Sequence, residues 1–124
     1  MITNQKNLLI RDAHAHFFSR DFLQILASQM KEPLSAEAIA EKLGWDLPPA
    51  DNAELALRWV QELDKHGVEQ IALMASMPGN EDSIADAVQA YPERIHGYFM
   101  LNPTAPDAIA RTTNALDKLG LRGI

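Results

Sequence analysis

Three short and almost uninterrupted apolar runs recur along the chain, at residues 8–10, 70–77 and 95–101. The first run leads directly into an Asp-Ala-His-Ala-His segment at residues 12–16, and glycine, proline or asparagine borders the runs. Strands that are covered on both faces have this character, and such strands usually belong to parallel sheets. The pattern therefore predicts at least three parallel strands.

Amphipathic stretches separate these runs and carry helix start and stop signals. Residues 22–30 and 36–43 are predicted to form helices inserted after the first strand, the second capped by Ser35 and ended by Gly44. Strand and helix then alternate without two strands in succession, which is the βαβ order with right-handed crossovers. The predicted fold class is α/β.

Three further helices are predicted, starting near Asp51, Asn80 and Pro106 and ending at Gly67, Pro92 and Gly120. Their apolar residues recur at helical spacing and define one core-facing stripe on each helix. The residues expected to line these stripes are Leu55, Trp59, Leu63, Ile84, Val88, Tyr91, Ile109, Leu116 and Leu119.

From the second predicted strand onward, each strand–helix unit spans about 25 residues, as βα units with short connections do. Residues 121–124 have the character of a fourth strand that has only begun. Because a domain rarely ends on the first residues of a buried strand, we expect residues 1–124 to be one partial domain of a truncated chain.

Composition narrows the classes of function. The 124 residues are 47% apolar and 23% charged, include no cysteine and carry a net charge of −6. Disulfide scaffolds, cysteine zinc fingers and thiol nucleophiles are excluded, and no apolar run approaches the roughly 18 residues of a membrane span. An acidic chain with 6% aromatic residues is a poor candidate for a nucleic-acid-binding protein, which needs a basic surface. We expect a cytoplasmic protein whose partner is a small molecule.

His14 and His16 are the strongest candidates for chemistry. The two histidines are two positions apart on a predicted strand, so they project from the same face with Cβ atoms roughly 6.5–7 Å apart. Two imidazoles at that spacing can converge on one metal ion, and the carboxyl end of a strand is where α/β folds hold their sites. Two ligands do not complete a zinc site, so a further ligand has to come from elsewhere. The alternative, two ordinary strand histidines, stays open.

Other polar residues give weaker signals. His66 ends a helix and His96 opens the third strand, and structural roles are expected for both. Asn80 and Asn102 follow the second and third strands on the rim of His16, so they are candidate substrate contacts together with Phe17, although turn, cap and core roles explain them equally well. Walker A, nucleophile-elbow and dinucleotide motifs are absent.

The segment from Asp12 to Phe17 resembles the strand-one motif of the amidohydrolase superfamily. Further segments in the same order narrow the resemblance to the amidohydrolase-2 branch, which contains aminocarboxymuconate-semialdehyde and resorcylate-type decarboxylases together with hydrolases. These segments lie at residues 63–68, 77–80, 90–97, 101–103 and 119–124, so the resemblance covers nearly the whole chain.

The resemblance implies the N-terminal part, about three to four βα units, of a (β/α)₈ TIM barrel with a divalent metal, commonly zinc, at its C-terminal mouth. His14 and His16 match the two strand-one ligands. Family members add a histidine, an aspartate and an acid/base histidine from later strands, and no residue of this chain matches them. The implied activity is that of a metal-dependent hydrolase or non-oxidative decarboxylase for a small carboxylated or cyclic substrate, inactive in this chain alone.

Two other classes compete with this enzyme. One is a non-catalytic α/β module that binds a partner or forms a homo-oligomer, because three or four parallel strands leave an edge that natural proteins normally cover. The other is a complete receiver-like domain. The chain lacks the acidic cluster that such a domain carries after its first strand, so this class ranks last.

Overall fold

A computed structural model describes residues 8–32 and 34–124 of the chain. In these residues, strands and helices follow one another with two helices inserted after the first strand. The strands are β1 (Ile10–His16), β2 (Val68–Met74) and β3 (Ile95–Tyr98), and the helices are α1 (Arg20–Ser28), α2 (Ala36–Leu43), α3 (Asn52–His66), α4 (Glu81–Ala90) and α5 (Ala108–Asp117). None of these helices is long and apolar enough to cross a membrane.

Within the described residues the three strands form one parallel sheet in the order β1-β2-β3. A further parallel bridge joins Tyr98 to Gly123, and the amide of Phe99 donates to the carbonyl of Gly123 at 3.1 Å. This bridge lies where the sequence predicts the opening of a fourth strand. The α/β prediction is confirmed, and the parallel sheet with its helices is consistent with part of a TIM-like barrel.

Helix α3 passes into β2 without an intervening loop. The Asp51 carboxylate accepts a hydrogen bond from the Ala53 amide at 2.9 Å at one end, and Gly67 ends the helix with φ 66° at the other. A left-handed φ is costly for residues with a Cβ atom, which explains glycine at this junction. Beyond it, Arg94 donates to the carboxylate of Asp64 at 2.7 Å and joins this corner to the start of β3.

The main core lies between the sheet and α3 to α5. Alternate residues of β2 and β3 face the helices and are almost fully buried, as the strand period of two requires. We call this group the sheet core; it contains Phe17, Ala56, Val60, Leu63, Ile71, Leu73, Ala75, Ile84, Ala87, Ile95, Phe99, Ala115 and Leu121.

Helices α1 and α2 pack against each other in a second cluster. We call it the helical cluster; its buried members are Phe22, Leu23, Ala27, Ala36, Ile39 and Ala40, with Phe18, Leu26, Leu34, Leu47 and Met77 at its border. Helix α1 begins two residues earlier than predicted because the hydroxyl of Ser19 caps it by accepting the Phe22 amide at 3.1 Å.

Two expectations about burial were wrong. Strand β1 is exposed along most of its length, because within the described residues it lies at the edge of the sheet and pairs with β2 alone. In α5, Ile109 and Leu116 are 84% and 42% exposed, whereas Ala108 and Ala115 are buried. The face of α5 that packs on the sheet is therefore shifted by one residue from the predicted face. Alanine side chains, rather than Ile109 and Leu116, lie against the sheet.

Candidate metal centre

The two histidines of β1 meet at the carboxyl end of the sheet. Their Nε2 atoms are 3.2 Å apart, and the ring centroids are separated by 5.0 Å at an angle of 75°. The register of β1 against β2 shifts between Asp12 and Ala15, yet His14 and His16 still project to the same side. The predicted juxtaposition of the two imidazoles is therefore present in the structure.

The separation of the two nitrogen atoms fits a shared metal ion. Two metal–nitrogen bonds of zinc length at a tetrahedral angle require nitrogen atoms about 3.3 Å apart. The observed 3.2 Å also permits a direct hydrogen bond between the imidazoles, with one ring donating and the other accepting. The donor set therefore suits a divalent cation as two of its ligands.

A serine that the sequence analysis missed lies next to this pair. The Nδ1 atom of His16 is 2.9 Å from the hydroxyl oxygen of Ser76, which follows β2 by two residues. Its position on the same rim, directly after the second strand, is the signal that would have revealed it. When Nδ1 is the donor in this hydrogen bond, Nε2 of His16 is the nitrogen available to a ligand.

An aromatic side chain supports the ring of His16 on one face. Phe18 stacks on it with a centroid distance of 5.5 Å and an angle of 6° between the rings. Phe18 in turn contacts Phe22 and Trp45, with centroids 4.8 and 5.1 Å away. The helical cluster thus extends to the histidine pair and supplies one wall of the candidate site.

An open cavity of about 530 Å³ adjoins the histidines. Besides His14 and His16, its walls are largely apolar and come from the ends of β2, β3 and the segment that follows. The other lining residues are Ala13, Met74, Ala75, Tyr98, Phe99, Met100, Leu101 and Ile124. Few polar groups converge there, so the imidazoles dominate the chemistry of the cavity.

The three proposed substrate contacts lie in different environments. Phe17 is fully buried in the sheet core, so its side chain has no exposed surface in the described structure. Asn80 is 2% exposed and accepts a hydrogen bond from the Ser83 hydroxyl at 2.8 Å. Asn102 is exposed and closes a turn by accepting both the amide and the hydroxyl of Thr104. None of the three lines the histidine cavity.

The remaining histidines lie away from this rim. His66 ends α3 at the surface, with Nε2 3.5 Å from a carboxylate oxygen of Glu62. His96 is half-buried near the amino end of β3, and burial, followed by the charges of Arg122 and Arg11, lowers its pKa below 6.5. Both positions agree with the structural roles expected for these residues.

No further ligand joins the histidine pair in the described part of the chain. Residues 8–32 and 34–124 contain no group of three or more histidine, cysteine, aspartate or glutamate side chains placed to hold one ion. The carboxylate of Asp12 accepts the backbone amide of His14 at 3.0 Å and so shapes the strand end. The site is a pair of donors rather than a complete coordination sphere.

These features define a parallel α/β fold with a histidine pair at the carboxyl end of its first strand. No protein-family model and no curated protein matches the sequence. Among solved structures, the chain is similar to a crystal structure from Acinetobacter baumannii, described as a probable 2-pyrone-4,6-dicarboxylic acid hydrolase with citric acid bound. The TM-score is 0.59 at 19% identity.

The match covers 94% of this chain and 36% of the chain of that hydrolase. At this level of identity the likeness concerns the fold. It supports the α/β prediction over nearly all of the sequence, and the chain corresponds to little more than a third of the larger structure.

Proposed function

We propose that the chain is part of a metal-dependent hydrolase or non-oxidative decarboxylase of the amidohydrolase-2 type. The observation that carries the proposal is the 3.2 Å approach of the Nε2 atoms of His14 and His16 at the carboxyl edge of a parallel sheet. The similarity of the fold to that of a probable hydrolase agrees with it.

In this proposal His14 and His16 hold a divalent metal ion, with zinc the expected one. Such an ion polarises a substrate oxygen or lowers the pKa of a bound water. Ser76 holds the ring of His16 through Nδ1, and Phe18 covers one face of it. The remaining ligands and the catalytic acid or base have to come from residues outside the described ones.

The proposed substrate is a small carboxylated or cyclic molecule. The cavity beside the histidines has apolar walls, including Met74, Tyr98 and Met100, that suit the hydrocarbon part of such a molecule. The similar hydrolase is named for a cyclic dicarboxylic acid and holds citric acid, which favours the same substrate class. Hydrolysis and decarboxylation are both compatible with a metal held at this rim.

Calorimetric titration with Zn²⁺ tests the proposal. The wild-type chain is expected to bind one ion, and His14→Ala, His16→Ala and the double variant are expected to abolish that binding. His66→Ala is the matched control, because His66 lies at the surface of α3. Equal binding of Zn²⁺ by the wild type and the double variant would refute the assignment of these ligands.

One observation favours the alternative of a self-associating module. Leu8 and Leu9 directly before β1, and Ile10 as its first residue, are 82%, 73% and 47% exposed. Within the described residues the strand has a neighbour on one side only. Light scattering over a range of concentrations distinguishes the two. A module of this kind forms a defined dimer without metal, whereas a monomer at all concentrations contradicts it.

A further inference from the structure

The hydroxyl group of Ser76 lies between two hydrogen-bonding partners at the end of β2. Its oxygen is 2.9 Å from Nδ1 of His16 and 3.4 Å from the carbonyl oxygen of Met74. That carbonyl also accepts the amide of Phe17 at 2.9 Å, so its position is fixed by the pairing of β1 with β2. The serine therefore connects a rigid acceptor of the sheet to one of the two candidate metal ligands.

The direction of these hydrogen bonds determines which nitrogen of His16 is free. A carbonyl oxygen only accepts. When the serine proton points to Met74, the serine oxygen therefore accepts from Nδ1–H of His16. A neutral imidazole carries one N–H, which leaves Nε2 with an unshared electron pair. This is the form of histidine that binds a metal through Nε2.

The opposite arrangement has a different consequence. If Ser76 donated its proton to Nδ1, the proton of His16 would lie on Nε2, 3.2 Å from Nε2 of His14. The two imidazoles would then bond to each other, and that nitrogen could not bind a cation. The two arrangements are mutually exclusive, so the tautomer of His16 separates them.

We propose that Ser76 is a positioning residue that holds His16 in the tautomer protonated at Nδ1 and so directs Nε2 to a divalent cation. The metal-binding role of Nε2 rests on the proposed function, whereas the tautomer of His16 is a property of the metal-free chain. Phe18, stacked within 6° of parallel, restrains the same ring against tilting. The ring is thus held at one nitrogen and over one face.

Nitrogen NMR of the histidine side chains in the metal-free protein tests the tautomer directly. In the neutral ring, the proton of His16 is expected on Nδ1 in the wild type. Ser76→Ala should shift it toward Nε2, the form that free histidine favours in water, and Ser76→Thr should restore Nδ1. A wild-type His16 protonated at Nε2 overturns the proposal without any variant.

Titration with Zn²⁺ alone gives the second readout. Ser76→Ala is expected to weaken binding by about 10- to 100-fold, the usual effect of losing the partner of a ligating histidine, and Ser76→Thr to recover most of it. Ser28→Ala is the matched control, since Ser28 is exposed at the end of α1 and its hydroxyl donates to the carbonyl of Ile25. Unchanged affinity in Ser76→Ala overturns the positioning role. Absence of Zn²⁺ binding by the wild type overturns the proposed function, while the tautomer still decides the role of Ser76.

Discussion

At the scale of single residues, His96 connects the protonation of a side chain to the stability of the fold. Burial, then Arg122 and then Arg11 lower its pKa below 6.5 in the folded chain. As the pH falls through about 6.5, His96 binds a proton in the unfolded chain but not yet in the folded chain. The free energy of unfolding therefore decreases. This decrease in the free energy of unfolding is complete only at a pH below the pKa of His96 in the folded state.

His96→Gln removes this titration. Its free energy of unfolding, measured with urea at a series of pH values, should fall less between pH 7 and pH 5 than that of the wild type (about the interval in which histidine titrates). Arg122→Gln should reduce the loss by a smaller amount, because the arginine is the second cause and burial the first. Identical losses in all three proteins would contradict this role of His96.

Gly97 on β3 is a residue whose small size the packing requires. A Cβ atom there would lie 2.7 Å from Leu121, 2.8 Å from Val88 and 3.1 Å from Ile84, closer than side chains normally approach. Gly97→Ala is expected to lower the free energy of unfolding by about 1–3 kcal/mol through overpacking. Chemical denaturation measures this free energy. Gly97→Ala should cost less in a Val88→Ala background, where the clash with Val88 is relieved. Strictly additive effects of the two substitutions would contradict the steric cause.

At the scale of elements, the caps of α1 and α2 provide a matched comparison. Ser19 and Ser35 each accept a backbone amide at 3.1 Å, from Phe22 and Ala38. Ser35 is exposed, whereas Ser19 is fully buried and also donates to Ser83 at 3.2 Å. We expect Ser35→Ala to cost about 1 kcal/mol of unfolding free energy and Ser19→Ala about 2 kcal/mol, measured by urea denaturation. Equal costs would mean that the buried bond to α4 contributes nothing.

Elements determined by local signals could be predicted from the sequence. Helix α2 has the bounds expected from its serine cap and from Gly44, because both act within a few residues of the chain. The alternation of strand and helix, and the meeting of His14 and His16 on one face, follow in the same way from short-range periodicity.

Features that depend on tertiary neighbours could not be predicted in this way. The face of α5 that packs on the sheet is chosen by the shape of its partner, so Ile109 was placed wrongly. The exposure of β1 depends on which strands lie beside it. Ser76 contacts His16 only because the register of β1 and β2 brings together residues 60 positions apart in sequence.

At the scale of the whole molecule, metal binding and global stability are expected to be coupled only in part. A ligand that binds the folded state alone at 100 times its Kd raises the free energy of unfolding by about 2.7 kcal/mol. His14 and His16 are two residues apart, so the unfolded chain retains both donors close together and some affinity for the ion. The gain should therefore remain below that value.

Urea unfolding with saturating Zn²⁺, and again after removal of the metal with a chelator, measures this coupling. His14→Ala should unfold identically in both conditions. A gain that reaches the full mass-action value in the wild type would contradict the expectation, because it would mean that the unfolded chain has no affinity for the ion.

The division of the apolar residues into two clusters has a consequence for how firmly His16 is held. The helical cluster is built almost entirely from the segment inserted between β1 and α3, while the paired strands belong to the sheet core. Proteins open in such cooperative units at free energies below that of global unfolding. Phe18 borders the helical cluster and stacks on one face of His16, so a local opening of this unit removes that support while β1 and β2 stay paired. The local stability of the two inserted helices then decides how firmly His16 is held, whereas the open cavity leaves both histidines accessible in the folded chain.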